Sequence, residues 1–263
     1  LLSLQRKKHL RSAVSFVTVL KKENYLESMD RKLIVTCEHS DNKVPSQYQK
    51  LFESNSEILE THRGYDIGAL ELTKTISDKL KSETYAHEFS RLLVDLNRSL
   101  DNPSAFSEFM DEVEQDTRRS IVEEYYLPYR QKIKNFMSNL ISEGQAILHL
   151  SVHTFTPQMN GVDRDVDIGL LYDPKRNLEK EFCWKWRRQL EKLMPDLKYR
   201  MNHPYPGTMD GFSTSIRKDL SQEDYWGIEL EVSQRFALSD DTARWKRVQE
   251  NLANSLKLVV ERE

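Results

Sequence analysis

The chain has 263 residues, with 39 Lys and Arg against 42 Asp and Glu, a formal net charge of −3. That balance leaves no basic excess to drive nucleic-acid binding through counterion release, and no apolar stretch approaches the ~20 residues that a bilayer span needs. Two cysteines, Cys37 in an apolar run and Cys183 in a helical pattern, are too few for a disulfide framework and suit a reducing compartment.

Residues 1–30 carry apolar positions near helical spacing among many lysines, which predicts a helical extension of one or two helices. Basic clusters such as Arg6-Lys7-Lys8 and Arg187-Arg188 lie beside acidic residues and read as solvated helix faces. The start lacks the order of a signal peptide, so a cytoplasmic location is expected.

Leu33 to Cys37 is a short apolar, β-branched run, the pattern of a buried strand, and it stops at the polar cluster Glu38-His39-Ser40-Asp41-Asn42. Loops converge over such strand ends in open α/β sheets, and ligands bind there. From Asp66 to Leu80 the apolar residues Ile67, Leu70, Leu72, Ile76 and Leu80 keep helical spacing, which places Asp66 near a helix N-terminus. Phe89 to Leu96 reads as a strand leading into Asn97-Arg98. Thr117 to Ile141 is a long helical region that Pro128 should kink or split, with Gly144 close to its C-terminal cap.

Ala146 to His153 and Val166 to Tyr172 are two further expected strands, and Leu178 to Leu193 is an amphipathic helix. Trp226 to Val232 reads as strand and Asp240 to Val260 as a closing helix. Strands alternating with helices predict an α/β fold, a single three-layer α/β/α domain across residues 1–263.

Four polar clusters follow these elements. His39 can cap a loop or ligate a metal, and Asp66 can be an ordinary N-cap or a ligand. His149 and His153 share a strand face, but only His153 reaches the strand end, so His149 belongs to the core or supports the site from behind. Glu229 and Glu231 also share a face; buried carboxylates are costly unless paired or metal-bound, which leaves an edge strand or a functional site. Hydrolytic zinc takes three N or O ligands and keeps one position for water, whose pKa falls to about 7. The segment Ser90 to Arg98 adds arginines, whose forks match carboxylates, beside Asp95 and Asn97. Sequences of the HExxH, Walker, GxSxG and GxGxxG types are absent.

The order CEHSDNKVP, HRGYDIGALEL, SRLLVDLNR, SVHTFTP and GVDRDVDIGLLYD resembles the N-formylglutamate amidohydrolase family from about Leu33 to Phe236. The resemblance implies a central mixed sheet between helices, similar to the zinc-exopeptidase and phosphorylase/hydrolase-like folds of aspartoacylases and metallocarboxypeptidases. It implies zinc held by His39, Asp66 and His153, with Glu38 and His62 in reserve for the acidic or third ligand. Glu231 then stands where the water-activating carboxylate is expected, ahead of Glu229. Asn97 and Arg98 match a pair that receives a substrate carboxylate, Arg91 and Arg164 stand to steady the carbonyl or carboxylate, and Asn202 and Tyr205 to line the pocket. The implied partner is a small-molecule substrate with a carboxylate, not nucleic acid or membrane; oligomeric state is not legible.

Overall fold

The computed structural model describes residues 31–159 and 161–261, and the helical extension expected for residues 1–30 lies outside them. Strands β1 (Arg31–Cys37), β2 (Glu83–Ala86) and β3 (Ala146–Phe155) lie parallel, with β1 between the other two. A short hairpin follows, β4 (Gln158–Met159) and β5 (Val162–Asp163). The main sheet then continues with β6 (Ile168–Leu171), β7 (Tyr199–Met201) and β8 (Tyr225–Ser233) in the order β2-β1-β3-β8-β6-β7. Only β6 against β8 is antiparallel, so the sheet is mixed.

Side-chain alternation divides this sheet into two unlike faces. Leu33, Val35, Leu148, Leu150, Val152, Ile228, Leu230 and Val232 point to one face. They pack under helices α1 (Ala69–Leu80), α4 (Asn177–Leu193) and α6 (Thr242–Val260), through Leu72, Ile76, Trp186, Trp245 and Leu252. On the other face Ile34, Ile147 and Tyr225 meet Ile133 and Met137 of α3 (Leu127–Ser142), and Phe212 and Ile216 of α5 (Phe212–Arg217). Further along the same strands that second face turns polar, with Thr36, His149, Ser151, His153, Glu229 and Glu231, all buried. An apolar layer therefore ends where the strands approach their C-terminal ends, and the polar residues beyond it are held at strand register rather than on flexible loops.

Helix α2 (Gln115–Ile121) reaches α3 through a π-helical stretch, Val122–Tyr126, in which Leu127 N–H donates to Val122. Pro128 has no N–H to continue the ladder, which is where the expected break falls. Gly144 follows the end of α3 at φ 83°, the left-handed conformation its position requires.

Phe89 to Leu96 is not a strand. Beyond one bridge from Phe89 to Lys43 it is a chain of turns, with Leu93 N–H to Ser90 and Arg98 N–H to Asp95. Its apolar residues Leu93, Val94 and Leu96 are buried against Met110, Ile121 and Tyr126 in a separate cluster. Side-chain burial, not sheet pairing, accounts for the strand-like pattern. The true edge strand, β2, is largely exposed and short, which hid it from the hydrophobic pattern.

His149 lies wholly inside, its Nε2 2.8 Å from the Thr36 hydroxyl and its Nδ1 2.6 Å from that of Tyr225. Burial pulls its pKa down to about 4. An unfolded imidazole titrates near 6.5. Between those values the unfolded chain binds a proton that the folded chain refuses, so stability falls as pH drops through this window, by on the order of 3 kcal/mol. Urea unfolding from pH about 7 down to about 4.5 should show a falling midpoint, and a shallower fall in His149→Gln.

Candidate metal centre

His39 lies two residues past the end of β1, and a backbone hydrogen bond from Asp66 N–H to its carbonyl (2.9 Å) ties the two loops together. Asp66 does not cap α1 with its side chain. Gly68, at φ 87°, holds the cap position without a side-chain bond, and a Cβ there would run into Ala237 and Trp245. The Asp66 carboxylate is thereby free to turn inward. Its Oδ2 lies 3.4 Å from His39 Nδ1 and 2.9 Å from His153 Nδ1, and its Oδ1 takes Arg91 Nη1 at 3.3 Å.

The three residues His39, Asp66 and His153 are buried, and one ligand atom from each lies within 4.8 Å of the others. The far nitrogens of the two imidazoles are occupied in matching ways. His39 Nε2 is 2.7 Å from Asp95 Oδ1, and His153 Nε2 is 2.8 Å from the Ser151 hydroxyl and 3.3 Å from Glu38 Oε2. A carboxylate on the far nitrogen fixes the ring and leaves Nδ1 as the free donor, which is how metal-ligating histidines are commonly oriented. Glu38 therefore stands behind His153, and His62, which is exposed, stands apart from the group.

The electrostatics call for a cation. Burial opposes ionisation of Asp66, Asp95 and Glu38, but the neighbouring histidines, with Arg91 beside Asp95, outweigh it and hold all three carboxyls below the ordinary range. Burial works against charge on His153 too, yet Asp66 and Glu38 push its pKa well above the usual value. Arg91, ion-paired to Asp66 and to Asp95 (2.9 Å), sets a guanidinium against these buried acids. Two imidazole nitrogens and a carboxylate oxygen are a donor set that suits zinc, so the residues fit the ion the sequence implied.

Glu231 pairs with His153 across the parallel register, and Glu229 with Ser151. β8 is an interior strand, so the edge-strand reading of these carboxylates does not apply. Burial raises the Glu231 pKa to about 8, only partly offset by His153, and its Oε2 has no hydrogen-bond partner. Burial likewise raises Glu229. Both line a cavity of about 290 Å³ with His39, Asp66 and His153.

Asn97 and Arg98 line that cavity as well. Asn97 spends its carbonyl oxygen on Phe212 N–H (2.7 Å), which turns its amide toward His153 Nε2 at 3.4 Å. Arg98 donates to the Asp210 backbone carbonyl and, among the described residues, pairs with no carboxylate. Tyr205 lines the cavity. Arg164 does not; it donates through Nη1 and Nη2 to the Tyr205 hydroxyl, each at 3.1 Å, and so acts on the wall from behind. Asn202 is also outside the lining. Its Oδ1 accepts from Tyr172 N–H (2.9 Å) and Gly207 N–H (3.2 Å), closing the 202–207 loop. Sequence reading did not single out Met159, Met209 and Asp210, which stand outside the quoted motifs, nor Thr154, which lies within SVHTFTP; the four complete the wall.

A mixed sheet presenting two histidines at its strand ends, met by a carboxylate from the loop before α1, defines an α/β protein with a candidate metal centre in a polar cavity. The comparisons name its kin. A family model described as FGase, N-formylglutamate amidohydrolase, matches residues 31–238, and the chain belongs to that family of hydrolases. No curated protein matches it. Among solved structures, the gene product Atu2144 from Agrobacterium tumefaciens is similar at TM-score 0.73 and 20% identity, covering 90% of this chain and 93% of that one. The N-formylglutamate amidohydrolase from Ralstonia eutropha JMP134 is similar at TM-score 0.63 and 14% identity, covering 89% and 94%. At those identities the likeness speaks for the fold. No helix among the described residues is long and apolar enough to cross a membrane.

Proposed function

We propose that this chain is a zinc-dependent amidohydrolase that cleaves the amide of an N-formyl or N-acyl amino acid such as N-formylglutamate. The observation that carries the reading is the convergence of His39 Nδ1 and His153 Nδ1 on Asp66 Oδ2, beside a buried carboxyl, Glu231, whose Oε2 has no partner. A zinc ion held by His39, Asp66 and His153 supplies Lewis acidity, polarising an amide carbonyl and acidifying water.

Glu231 then collects the proton of the attacking water at Oε2 and returns it to the leaving amine nitrogen. One carboxyl can do both, because the carboxylate that takes the proton from water becomes the acid that gives it to the amine. Arg98 receives the substrate carboxylate with the guanidinium N–H groups that the Asp210 carbonyl leaves free, and the Asn97 amide beside it supplies a further donor. That anchor fixes the amide against the reacting groups and converts remote binding into alignment. Arg91, locked by Asp66 and Asp95, stands at the cavity wall where it can donate to the carbonyl oxygen.

Metal analysis of the purified protein and an assay on N-formylglutamate, N-acetylglutamate and dipeptides test the reading. A chain that neither carries nor takes up a divalent ion would overturn it. Arg98→Lys is expected to raise KM for a carboxylate substrate about tenfold with a smaller change in kcat, since a lysine cannot form the fork.

A further inference from the structure

A second cavity of about 430 Å³ adjoins the one that holds the candidate metal residues. Asp66, Arg91, Arg98, Thr154 and Tyr205 line both, so these residues form the boundary the two share. His39, His153, Glu229 and Glu231 line only the smaller chamber, which places the chemistry there. At about 290 Å³ that chamber is near the lower end of ligand pockets, roughly 300–1,000 Å³, and a small acyl amino acid suits it without the second one.

The second chamber is built from different material. Leu92, Phe106 and Phe155 give it apolar walls. His62, Ser104 and Thr156 line it with side chains that have no protein hydrogen-bond partner among the described residues. Arg63, paired with Glu108, lines it as well. Unengaged polar side chains along a wall are donors and acceptors for a polar ligand, and a fatty chain would strip their water without replacing it.

Resting on the hydrolase reading of the metal site, we propose that the second chamber is an acyl subsite for a polar, amino-acid-sized group. With the substrate carboxylate on Arg98 and the scissile amide in the smaller chamber, the acyl half passes Asp66 and Arg91 into the larger one. The substrate class is then an aminoacyl amino acid. Water adds its oxygen to the carbonyl carbon and the C–N bond breaks. The acyl half leaves as a carboxylate, and the amine leaves as an ammonium carrying both protons of the water, one of them by way of Glu231.

The test uses the zinc-loaded protein with three derivatives of glutamate: N-formyl, N-hexanoyl and asparaginyl. The expected result is a kcat/KM for asparaginyl-glutamate about tenfold or more above that for N-formylglutamate, with the hexanoyl compound below the asparaginyl one. N-formylglutamate turned over as well as or better than the dipeptide overturns the subsite and leaves the hydrolase reading standing. The hexanoyl compound ranking first overturns the polar class. Turnover of none brings down the hydrolase reading, and this proposal with it. Ser104→Trp, a change at an exposed position, should lower kcat/KM for the dipeptide about tenfold more than for N-formylglutamate; an equal effect on both counts against the subsite.

Discussion

Glu231→Gln is expected to bind metal as fully as the parent chain and to lose about 100-fold or more in turnover. The two parts of that result come from separate features. The candidate ligand atoms belong to His39, Asp66 and His153, and Glu231 is not among them. Its role rests on a carboxyl that is buried, has one oxygen without a partner, and lies level with His153 in the adjacent strand. Glutamine keeps the volume and the strand but neither takes nor gives a proton. The loss should fall on kcat and kcat/KM together, as for a group that acts only in the transition state. Unchanged turnover would remove Glu231 from the mechanism and turn attention to Glu229, which lines the same cavity from the same strand.

The second large effect is expected on metal affinity. His153→Ala removes a ligand nitrogen and should abolish retention of zinc during purification. Asp95→Asn leaves every ligand in place but replaces the carboxylate 2.7 Å from His39 Nε2 with an amide that can present its NH₂. Loss of such a partner typically costs 10–100-fold in metal affinity. Competition with a chromogenic chelator would measure both variants on one scale. The order parent, Asp95→Asn, His153→Ala is the expected one. Equal affinity across the series would mean that any ion binds elsewhere.

Much of the frame was legible in the amino-acid order. Strands β1, β3 and β8 are long, apolar and central, so their patterns stood out and their ends placed His39, His153 and Glu231. The alternation within β8 showed that Glu229 and Glu231 share a face, but not that the strand was interior, because that depends on which strands come to flank it. The 89–96 stretch misled because a short apolar run, here Leu92-Leu93-Val94, marks burial of any kind. Leu93 and Val94 fill a cluster beside the sheet instead of pairing within it.

Asp66 shows where the boundary lies. By itself the sequence determined that an acidic residue would stand just before a helix, a position equally suited to capping that helix and to binding an ion. Tertiary structure decided between the two. Gly68 takes the cap position, the chain folds back so that Asp66 N–H reaches the carbonyl of His39, and the carboxylate meets both histidines. The partners on the far nitrogens, Asp95 and Glu38, were in plain view as residues, but their task was not. A strand end fixes where a side chain starts. Only packing of distant segments fixes which atoms it meets, and those atoms set the protonation, the ring orientation and the chemistry.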